Sequence, residues 1–132
     1  MKFLTTPFED AWIIEVEPHD DSRGSFARTV CRNEFRNIGI DTDFVQQSFS
    51  HNIKKGIIRG LHYQTSPFEE GKLIRVTRGA VFDVIVDLRK GSSSFGKWFG
   101  TELSVENNRQ LFVPKGFGHG FQTLSENADV FY

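Results

Sequence analysis

Hydrophobic and polar residues alternate in short runs along most of the chain, a pattern typical of β-strands with one buried face. Clusters of Gly, Ser, Asn and Asp, such as the one within residues 90–94, separate these runs and predict turns. The predicted strands span residues 12–18, 25–30, 44–50, 57–64, 72–77, 80–88, 98–103, 110–113, 120–124 and 129–132. Many short strands at close spacing predict an all-β sandwich or barrel.

One segment departs from the strand pattern. Residues 33–38 predict a single short helix in the N-terminal third, closed by Gly39. The 132 residues are enough for one domain with a real core, and no repeat, low-complexity tract or linker divides them. We therefore expect a single domain over residues 1–132.

The composition of the chain excludes several classes of function. Hydrophobic residues make up 38% of the chain and charged residues 25%, which is ordinary for a globular protein. The net charge of −1 provides no general attraction to nucleic acid or to an anionic membrane, and no run is long enough to span one. The single cysteine, Cys31, excludes an internal disulfide and favours a cytoplasmic location. The N-terminus lacks the apolar run of a signal peptide.

The pattern of the predicted strand over residues 80–88 does not show which of its two faces points inward. Asp83 and Asp87 alternate with apolar residues, so the two carboxylates share one face of the strand. If that face points into a barrel, the aspartates line a polar cavity. If it points outward, they form a solvated surface, which is where most charged residues lie.

Two glycine-punctuated segments each carry a histidine, His62 and His119, in a pattern that partly matches metal-binding cupins. Those proteins have a second histidine two residues after the first, and a glutamate before the following glycine turn. In this chain Gln64 and Lys72 occupy the two positions. Because two histidines beside an ammonium make a poor site for a divalent cation, we expect no metal and no cofactor.

The same residues suit proton transfer. Imidazole titrates near neutral pH, so His62 can act as a general base on a carbon next to a ketone. Lys72 can stabilise the resulting enolate, and Tyr132 can return a proton from the opposite face. Each residue also has a structural alternative: a satisfied polar side chain for His62, a surface ion pair for Lys72 and a core ring for Tyr132.

Arginine and aromatic residues suggest a binding site for a phosphorylated ligand. The guanidinium groups of Arg23 and Arg59 suit phosphate oxygens, and together they could clamp a diphosphate. Phe26 and Tyr63 could stack on a base or a sugar, with core packing as the alternative for Phe26.

Five motifs occur in order along the chain: Asp21-Ser22-Arg23-Gly24-Ser25-Phe26, Arg59-Gly60-Leu61-His62-Tyr63-Gln64, Lys72-Leu73, Gly79-Ala80-Val81-Phe82-Asp83-Val84 and Pro114-x-Gly116-Phe117-x-His119-Gly120-Phe121. Together they closely resemble the dTDP-4-dehydrorhamnose 3,5-epimerase family of metal-independent cupins, and the resemblance covers essentially the whole chain. It implies a cupin-type jelly roll. It also implies an isomerase that epimerises C3 and C5 of a dTDP-linked 4-keto-6-deoxyhexose on the route to L-rhamnose.

The resemblance also implies roles for individual residues. His62 matches the proton acceptor of the family and Tyr132 its proton donor. The positions that match substrate contacts are Arg23, Arg59, Lys72 and His119, with Gln46 or Gln47 for a family glutamine and Ser48 or Phe49 for a family asparagine. The family works as a homodimer that exchanges N-terminal strands, so Arg23 and Phe26 are expected to serve the active site of the partner.

The sequence departs from the family pattern at three places. Arg28 occupies a position where members commonly carry a glutamate that helps to bind the nucleotide, so its contact with the ligand is expected to differ. Ser48 or Phe49 replaces the asparagine. The chain ends at Tyr132, whereas members continue with a carboxylate that pairs with the catalytic histidine and an aromatic residue that stacks on the base. We therefore expect a domain without this extension, in which His62 has no orienting partner.

Other functions share the same scaffold. A nucleotide-sugar 3,4-ketoisomerase would move the ketone between carbons, but such cupins usually have His-x-His where this chain has His62-x-Gln64. A non-catalytic cupin that binds sugar nucleotides is a further alternative. An enzyme that inverts only C3 is a close variant of the leading hypothesis.

Overall fold

The computed structural model of the protein describes residues 1–132 and consists mainly of β-strands. Its one helix, α1, spans Arg32–Arg36. The twelve strands are β1 (Lys2–Thr5), β2 (Trp12–Glu15), β3 (His19–Asp21), β4 (Gly24–Phe26), β5 (Phe49–Asn52), β6 (Ile58–His62), β7 (Lys72–Arg78), β8 (Ala80–Asp87), β9 (Trp98–Ser104), β10 (Arg109–Val113), β11 (Phe117–Thr123) and β12 (Ala128–Phe131). No helix has the length and apolar character that crossing a membrane requires.

The strands form two large antiparallel sheets and one small ribbon. The six-stranded sheet has the order β1-β2-β10-β7-β12-β5, and the four-stranded sheet has the order β6-β11-β8-β9. Strands β3 and β4 pair only with each other. Most neighbours in the large sheets are distant in sequence, as in a jelly roll, where the chain passes repeatedly from one sheet to the other. The predicted all-β jelly roll with one short helix is confirmed.

Strand β8 shows how the alternating pattern becomes a buried face. Val81, Asp83, Ile85 and Asp87 have no accessible surface, whereas Phe82, on the opposite face, is 36% exposed. Both aspartates therefore point into the protein, which answers the question that the sequence left open. Buried carboxylates need hydrogen-bond partners, since an unpaired buried charge is strongly unfavourable.

The main core lies between the two large sheets. Leu111 and Val130 from the six-stranded sheet belong to the same buried cluster as Val81, Ile85 and Phe121 from the four-stranded sheet. The alternation of each strand puts these residues on one face, and burial of their apolar surface holds the sheets together. Two rigid walls result, and the candidate site lies between them.

Helix α1 belongs to a second, smaller cluster. Phe35 is fully buried and packs with Ile14, Ile40 and Phe112. Gly39 follows the helix with a φ of 80°, a conformation that favours glycine and ends the helical segment. The predicted helix over residues 33–38 is confirmed in place, although it begins one residue earlier and ends at Arg36.

The predicted strand over residues 44–50 is wrong for most of its length. Only its last two residues belong to β5, and residues 44–48 have no regular structure. Backbone pairing beside β12 begins only at Ser48, which exchanges hydrogen bonds with Tyr132, and continues over Phe49–Asn52. Residues 44–47 have no such partners, which a strand needs to form. The pattern also missed β1, whose mostly exposed residues are held by pairing with β2 at the sheet edge.

Buried Asp87 anchors the loop between β8 and β9. Its carboxylate accepts hydrogen bonds from Arg89 Nε at 3.0 Å and Nη2 at 2.9 Å. It also accepts from the hydroxyls of Ser92 at 2.7 Å and Ser94 at 2.6 Å. These donors, Arg89 first, hold the pKa of Asp87 far below its usual range. Arg89 Nη1 in turn donates to Asp10 at 2.7 Å, which ties the N-terminal region to this network.

Asp87→Asn should lower the free energy of unfolding by about 3 kcal/mol at pH 7, the scale for breaking a buried ion pair. Because the folded-state pKa is depressed, the carboxylate stabilises the fold above the unfolded-state pKa of about 4. This stabilisation is lost as the pH falls through the folded-state pKa. The difference from the unsubstituted protein should therefore shrink below about pH 4, as measured by urea titrations.

The exposed Asp20 provides the matched control for this titration. Asp20→Asn removes the same charge without breaking a buried network, so its effect on the free energy of unfolding should be small at every pH. A destabilisation by Asp87→Asn that stays constant down to about pH 3 would contradict the role given to this carboxylate.

Candidate active site

A cavity of about 420 Å³ opens between the two large sheets. The four-stranded sheet lines it with Ile58, Arg59, Gly60, His62, His119 and Phe121, and the six-stranded sheet region with Lys72 and Tyr132. Lys72 begins β7, and Tyr132 directly follows β12. The fold thus brings five predicted site residues to one space: Arg59, His62, Lys72, His119 and Tyr132.

Glycines allow the two histidine-bearing strands to approach closely. His62 on β6 lies opposite His119 on β11 in the antiparallel register. A Cβ atom on Gly60 would lie 2.7 Å from the Gly120 Cα, and one on Gly120 would lie 2.6 Å from the Arg59 carbonyl oxygen. Gly60 also has a φ of 106°, which other residues rarely adopt. The glycines of both motifs are therefore required for backbone contact beside the imidazoles.

The two histidines have different environments. His119 is buried, and its Nε2 lies 3.0 Å from each carboxylate oxygen of Asp83. Burial raises the pKa of Asp83, and the adjacent imidazole counteracts that shift. His62 is exposed, and it lines the cavity without a hydrogen-bond partner for its imidazole in the chain. The arrangement leaves His62 free to approach a ligand, whereas Asp83 holds His119 from one side.

Lys72 and Tyr132 are held by neighbours at the edge of the cavity. The Lys72 Nζ forms an ion pair with Glu70 Oε1 at 2.7 Å. The Tyr132 amide donates to the Ser48 carbonyl at 3.1 Å, and the Ser48 amide donates to the Tyr132 carbonyl at 2.6 Å. The Tyr132 ring meets the His119 ring edge-on, with 6.2 Å between the centroids. The cation and the phenol therefore have defined positions in the cavity wall.

A groove of about 300 Å³ adjoins the cavity and shares Lys72 and Tyr132 with it. Gln46, Gln47 and Ser48 line this groove. They reach it as part of the irregular segment over residues 44–48, where the sequence pattern predicted a strand. The groove extends the space beside the cavity with amide and hydroxyl groups, which can donate or accept hydrogen bonds.

Three side-chain partners in this region were not identified from the sequence: Asp83 for His119, Asn52 for Arg59 and Glu70 for Lys72. The strand phase indicated that Asp83 could point inward. The spacing of two residues could have suggested the ion pair between Glu70 and Lys72. No local signal distinguishes Asn52, because its contact with Arg59 depends on how two strands from different sheets face each other.

Comparison with known proteins identifies the family of the chain. The family model described as dTDP-4-dehydrorhamnose 3,5-epimerase matches residues 5–132. The chain belongs to this family. It is similar to the dTDP-4-dehydrorhamnose 3,5-epimerase of Shigella flexneri, with 45% identity over 133 residues, covering 100% of this chain and 73% of the relative.

Solved structures of 3,5-epimerases share the fold of this family member. The Bacillus anthracis dTDP-4-dehydrorhamnose 3,5-epimerase, with TDP and PPi bound, has a TM-score of 0.94 and 44% identity, covering 98% of this chain and 74% of that one. The Legionella pneumophila dTDP-6-deoxy-D-glucose-3,5-epimerase, in complex with dTDP-4-keto-L-rhamnose, has a TM-score of 0.92 and 44% identity, with coverages of 98% and 69%. The family resemblance and the cupin-type fold predicted from the sequence are confirmed.

Three predicted binding residues of this epimerase-family protein lie away from the cavity of their own chain: Arg23, Phe26 and Arg28. Arg23 Nη2 pairs with Asp21 Oδ2 at 2.6 Å in the turn between β3 and β4. Phe26 ends β4 and is 76% exposed. Arg28 Nη1 lies 3.5 Å from Glu34 Oε1. A single chain therefore does not bring these residues to the site around His62.

The epimerase cavity does not gather a set of metal ligands. No group of three or more His, Cys, Asp or Glu side chains is placed to hold a metal ion. Gln64 lines neither the cavity nor the adjoining groove, and Lys72 contributes an ammonium where the metal-binding pattern has a carboxylate.

Gly120→Ala should disturb the site, because the added Cβ would press on the Arg59 carbonyl and push β6 away from β11. The free energy of unfolding should fall by about 2 kcal/mol, the scale of overpacking, as measured by urea denaturation. The imidazole NMR signals of His62 and His119 should shift as well.

Gly118→Ala is the control on the same strand. The nearest atom that its Cβ would meet is the tip of the Leu88 side chain, at 3.2 Å, which can move aside. Equal effects of the two substitutions on the free energy of unfolding and on the histidine signals would refute the need for close contact at Gly120.

Proposed function

We propose that the protein epimerises a dTDP-linked 4-keto-6-deoxyhexose at C3 and C5. Its family supports the reaction, and the ligands of two related structures, TDP and dTDP-4-keto-L-rhamnose, support the substrate class. The observation that carries the proposal is that His62 and Tyr132 line one cavity from facing sheets. The proposed steps use only side chains.

We place the reaction in the cytoplasm, where the free Cys31 would stay reduced.

His62 is the proposed proton acceptor. Its imidazole is exposed and lines the cavity, so it can approach a carbon of the bound sugar. Carbons C3 and C5 both neighbour the C4 ketone. After the first inversion His62 would release its proton to solvent and Tyr132 would regain one from solvent. A single base can therefore remove a proton from each carbon in turn, and both steps place the developing charge on the same ketone oxygen.

Lys72 and Tyr132 complete the proposed reaction from the six-stranded sheet. The Lys72 ammonium would stabilise the enolate oxygen, since a fixed cation acts strongly where charge develops. Tyr132 would return a proton to the face opposite His62. Delivery to the opposite face inverts the carbon, whereas return by His62 itself would restore the original configuration. The positions of His62 and Tyr132 beside different sheets support this assignment.

The remaining candidates are proposed to bind the substrate. Arg59 and His119 line the cavity, and their donors suit oxygen atoms of a diphosphate or a sugar. Gln46, Gln47 and Ser48 would contact the part of the substrate that extends into the adjoining groove. Arg28 would present a cation to the nucleotide where a glutamate presents an anion, so we propose a different nucleotide contact at this position.

We also propose a homodimer in which the β3–β4 ribbon serves the active site of the partner. The ribbon pairs with no other strand, and its Arg23 side chain is 88% exposed. An isolated two-stranded ribbon is only marginally stable. Packing of Arg23 and Phe26 on a second copy of the chain would stabilise the ribbon. The outer face of the four-stranded sheet supports such packing, because Phe82 and Trp98 are exposed on it.

Solvent deuterium exchange tests the catalytic roles. With dTDP-4-keto-6-deoxyglucose in D₂O, the protein should introduce deuterium at C3 and C5, as read by NMR of the sugar. His62→Asn should slow exchange at both carbons by at least about 100-fold, the scale of general-base catalysis. Tyr132→Phe should retain exchange but lose inversion. His51→Asn, which alters an exposed histidine outside the cavity, is the control.

Each of the other outcomes of this experiment would contradict part of the proposal or indicate a different function for the protein. Unchanged exchange in His62→Asn would show that His62 is not the base. Exchange at C3 alone would indicate an enzyme that inverts one carbon, and a ketone moved to C3 would indicate a ketoisomerase. Binding of the nucleotide sugar with no exchange by the unsubstituted protein would indicate a non-catalytic binding protein.

Mixing two inactive variants tests the exchanged ribbon. In a hybrid dimer of Arg23→Ala and His62→Asn chains, one site would combine the intact Arg23 of one chain with the intact His62 of the other. Random reassociation should therefore restore about a quarter of the sites, as measured by epimerase activity. No recovery, with hybrid dimers confirmed by mass spectrometry, would show that Arg23 does not serve the partner.

A further inference from the structure

Asn52 on β5 contacts Arg59 on β6 across the two large sheets. The Asn52 side chain is buried, with 1% of its surface exposed, and its Oδ1 accepts a hydrogen bond from Arg59 Nε at 2.7 Å. The two strands belong to different sheets, and no backbone ladder joins them. The side-chain contact therefore ties Arg59 to the opposite wall of the protein.

Neighbouring acceptors determine the orientation of the Asn52 amide. Its Nδ2 donates to the carbonyl oxygens of Ser50 at 3.2 Å and Ala128 at 3.1 Å, and to Ser50 Oγ at 3.3 Å. A flipped amide would place Oδ1 against the two carbonyl oxygens, which are acceptors only. The hydrogen-bond network therefore assigns the Nδ2 side to β5 and β12, and holds Oδ1 toward Arg59.

The contact leaves the terminal nitrogens of Arg59 available. Asn52 occupies Nε, whereas Nη1 and Nη2 have no hydrogen-bond partner in the chain. Arg59 itself is exposed and lines the cavity. A guanidinium with one nitrogen anchored and two free suits bidentate contact with phosphate oxygens, and the anchor restricts the directions it can take.

We infer that Asn52 is a positioning residue that holds Arg59 ready for the diphosphate of the substrate. The inference rests on the proposed function, which supplies the diphosphate. Ordering a free arginine on binding costs conformational entropy, and the contact with Asn52 removes part of that cost before the ligand arrives. Asn52 contacts Arg59 and does not line the cavity, so it should influence the affinity for the ligand and not the rate of the chemical step.

Calorimetric binding of dTDP and thymidine tests this role. Asn52→Ala should weaken dTDP binding roughly 2- to 10-fold, the range for ordering one long side chain, and leave thymidine binding unchanged. KM for the nucleotide sugar should rise by a similar factor while kcat stays constant. Asn52→Leu removes the same oxygen but fills the volume, and it replaces Asn52→Ala if that variant does not fold.

The matched control is Ser50→Ala, which removes one acceptor of the Asn52 amide without touching Arg59. It should leave dTDP binding unchanged. In an Arg59→Ala background, adding Asn52→Ala should cause no further loss, because the two residues act through one contact. Unchanged dTDP binding in the single Asn52 variants, or an equal additional loss in the Arg59→Ala background, would overturn the inference.

The NMR signal of the Arg59 Nε–H group supplies a readout that needs no ligand. Its exchange with water should be slow in the unsubstituted protein and in Ser50→Ala, and markedly faster in Asn52→Ala. Equally slow exchange in Asn52→Ala would overturn the positioning role. If the unsubstituted protein binds no dTDP but shows this exchange difference, the proposed function fails and the positioning of Arg59 by Asn52 stands.

Discussion

The close approach of β6 and β11 is the constraint on which the site depends. The Gly60 and Gly120 backbones are so close that neither position has room for a Cβ atom. This contact sets His62 opposite His119, and it also sets the position of Arg59, one residue before Gly60. The glycines therefore act through the distance between two backbones, and the side chains on either side of them form one wall of the cavity.

Hydrogen bonds to the buried polar groups make this wall rigid. Every buried side-chain nitrogen or oxygen has a hydrogen-bond partner. Asp83 and Asp87 share the inner face of β8 but have different roles. Asp83 holds His119 in the cavity wall, whereas Asp87 holds the loop that follows the strand. Such contacts are strong inside a protein, where water does not compete, and they restrict the side chains to one arrangement.

The facing sheets divide the proposed chemistry between them. The four-stranded sheet carries the proposed base and the guanidinium, and the six-stranded sheet carries the ammonium and the phenol. A sugar between the two walls would meet the base on one face and the acid on the other, as inversion requires. The ribbon with Arg23 belongs to neither wall, which is why the complete site is proposed to need a second chain.

The sequence alone determined most of the strand positions, the fold class, the family and the candidates His62, Lys72, His119 and Tyr132. Alternation reports two faces of a strand because side chains follow a period of two, and motif residues are visible wherever the chain places them. Only the tertiary structure decided that the face of β8 with Asp83 is the inner one, that residues 44–48 are irregular, and that Asn52 meets Arg59. These outcomes depend on which strands pair and which sheets face each other, and such contacts between distant segments leave no mark in the local pattern.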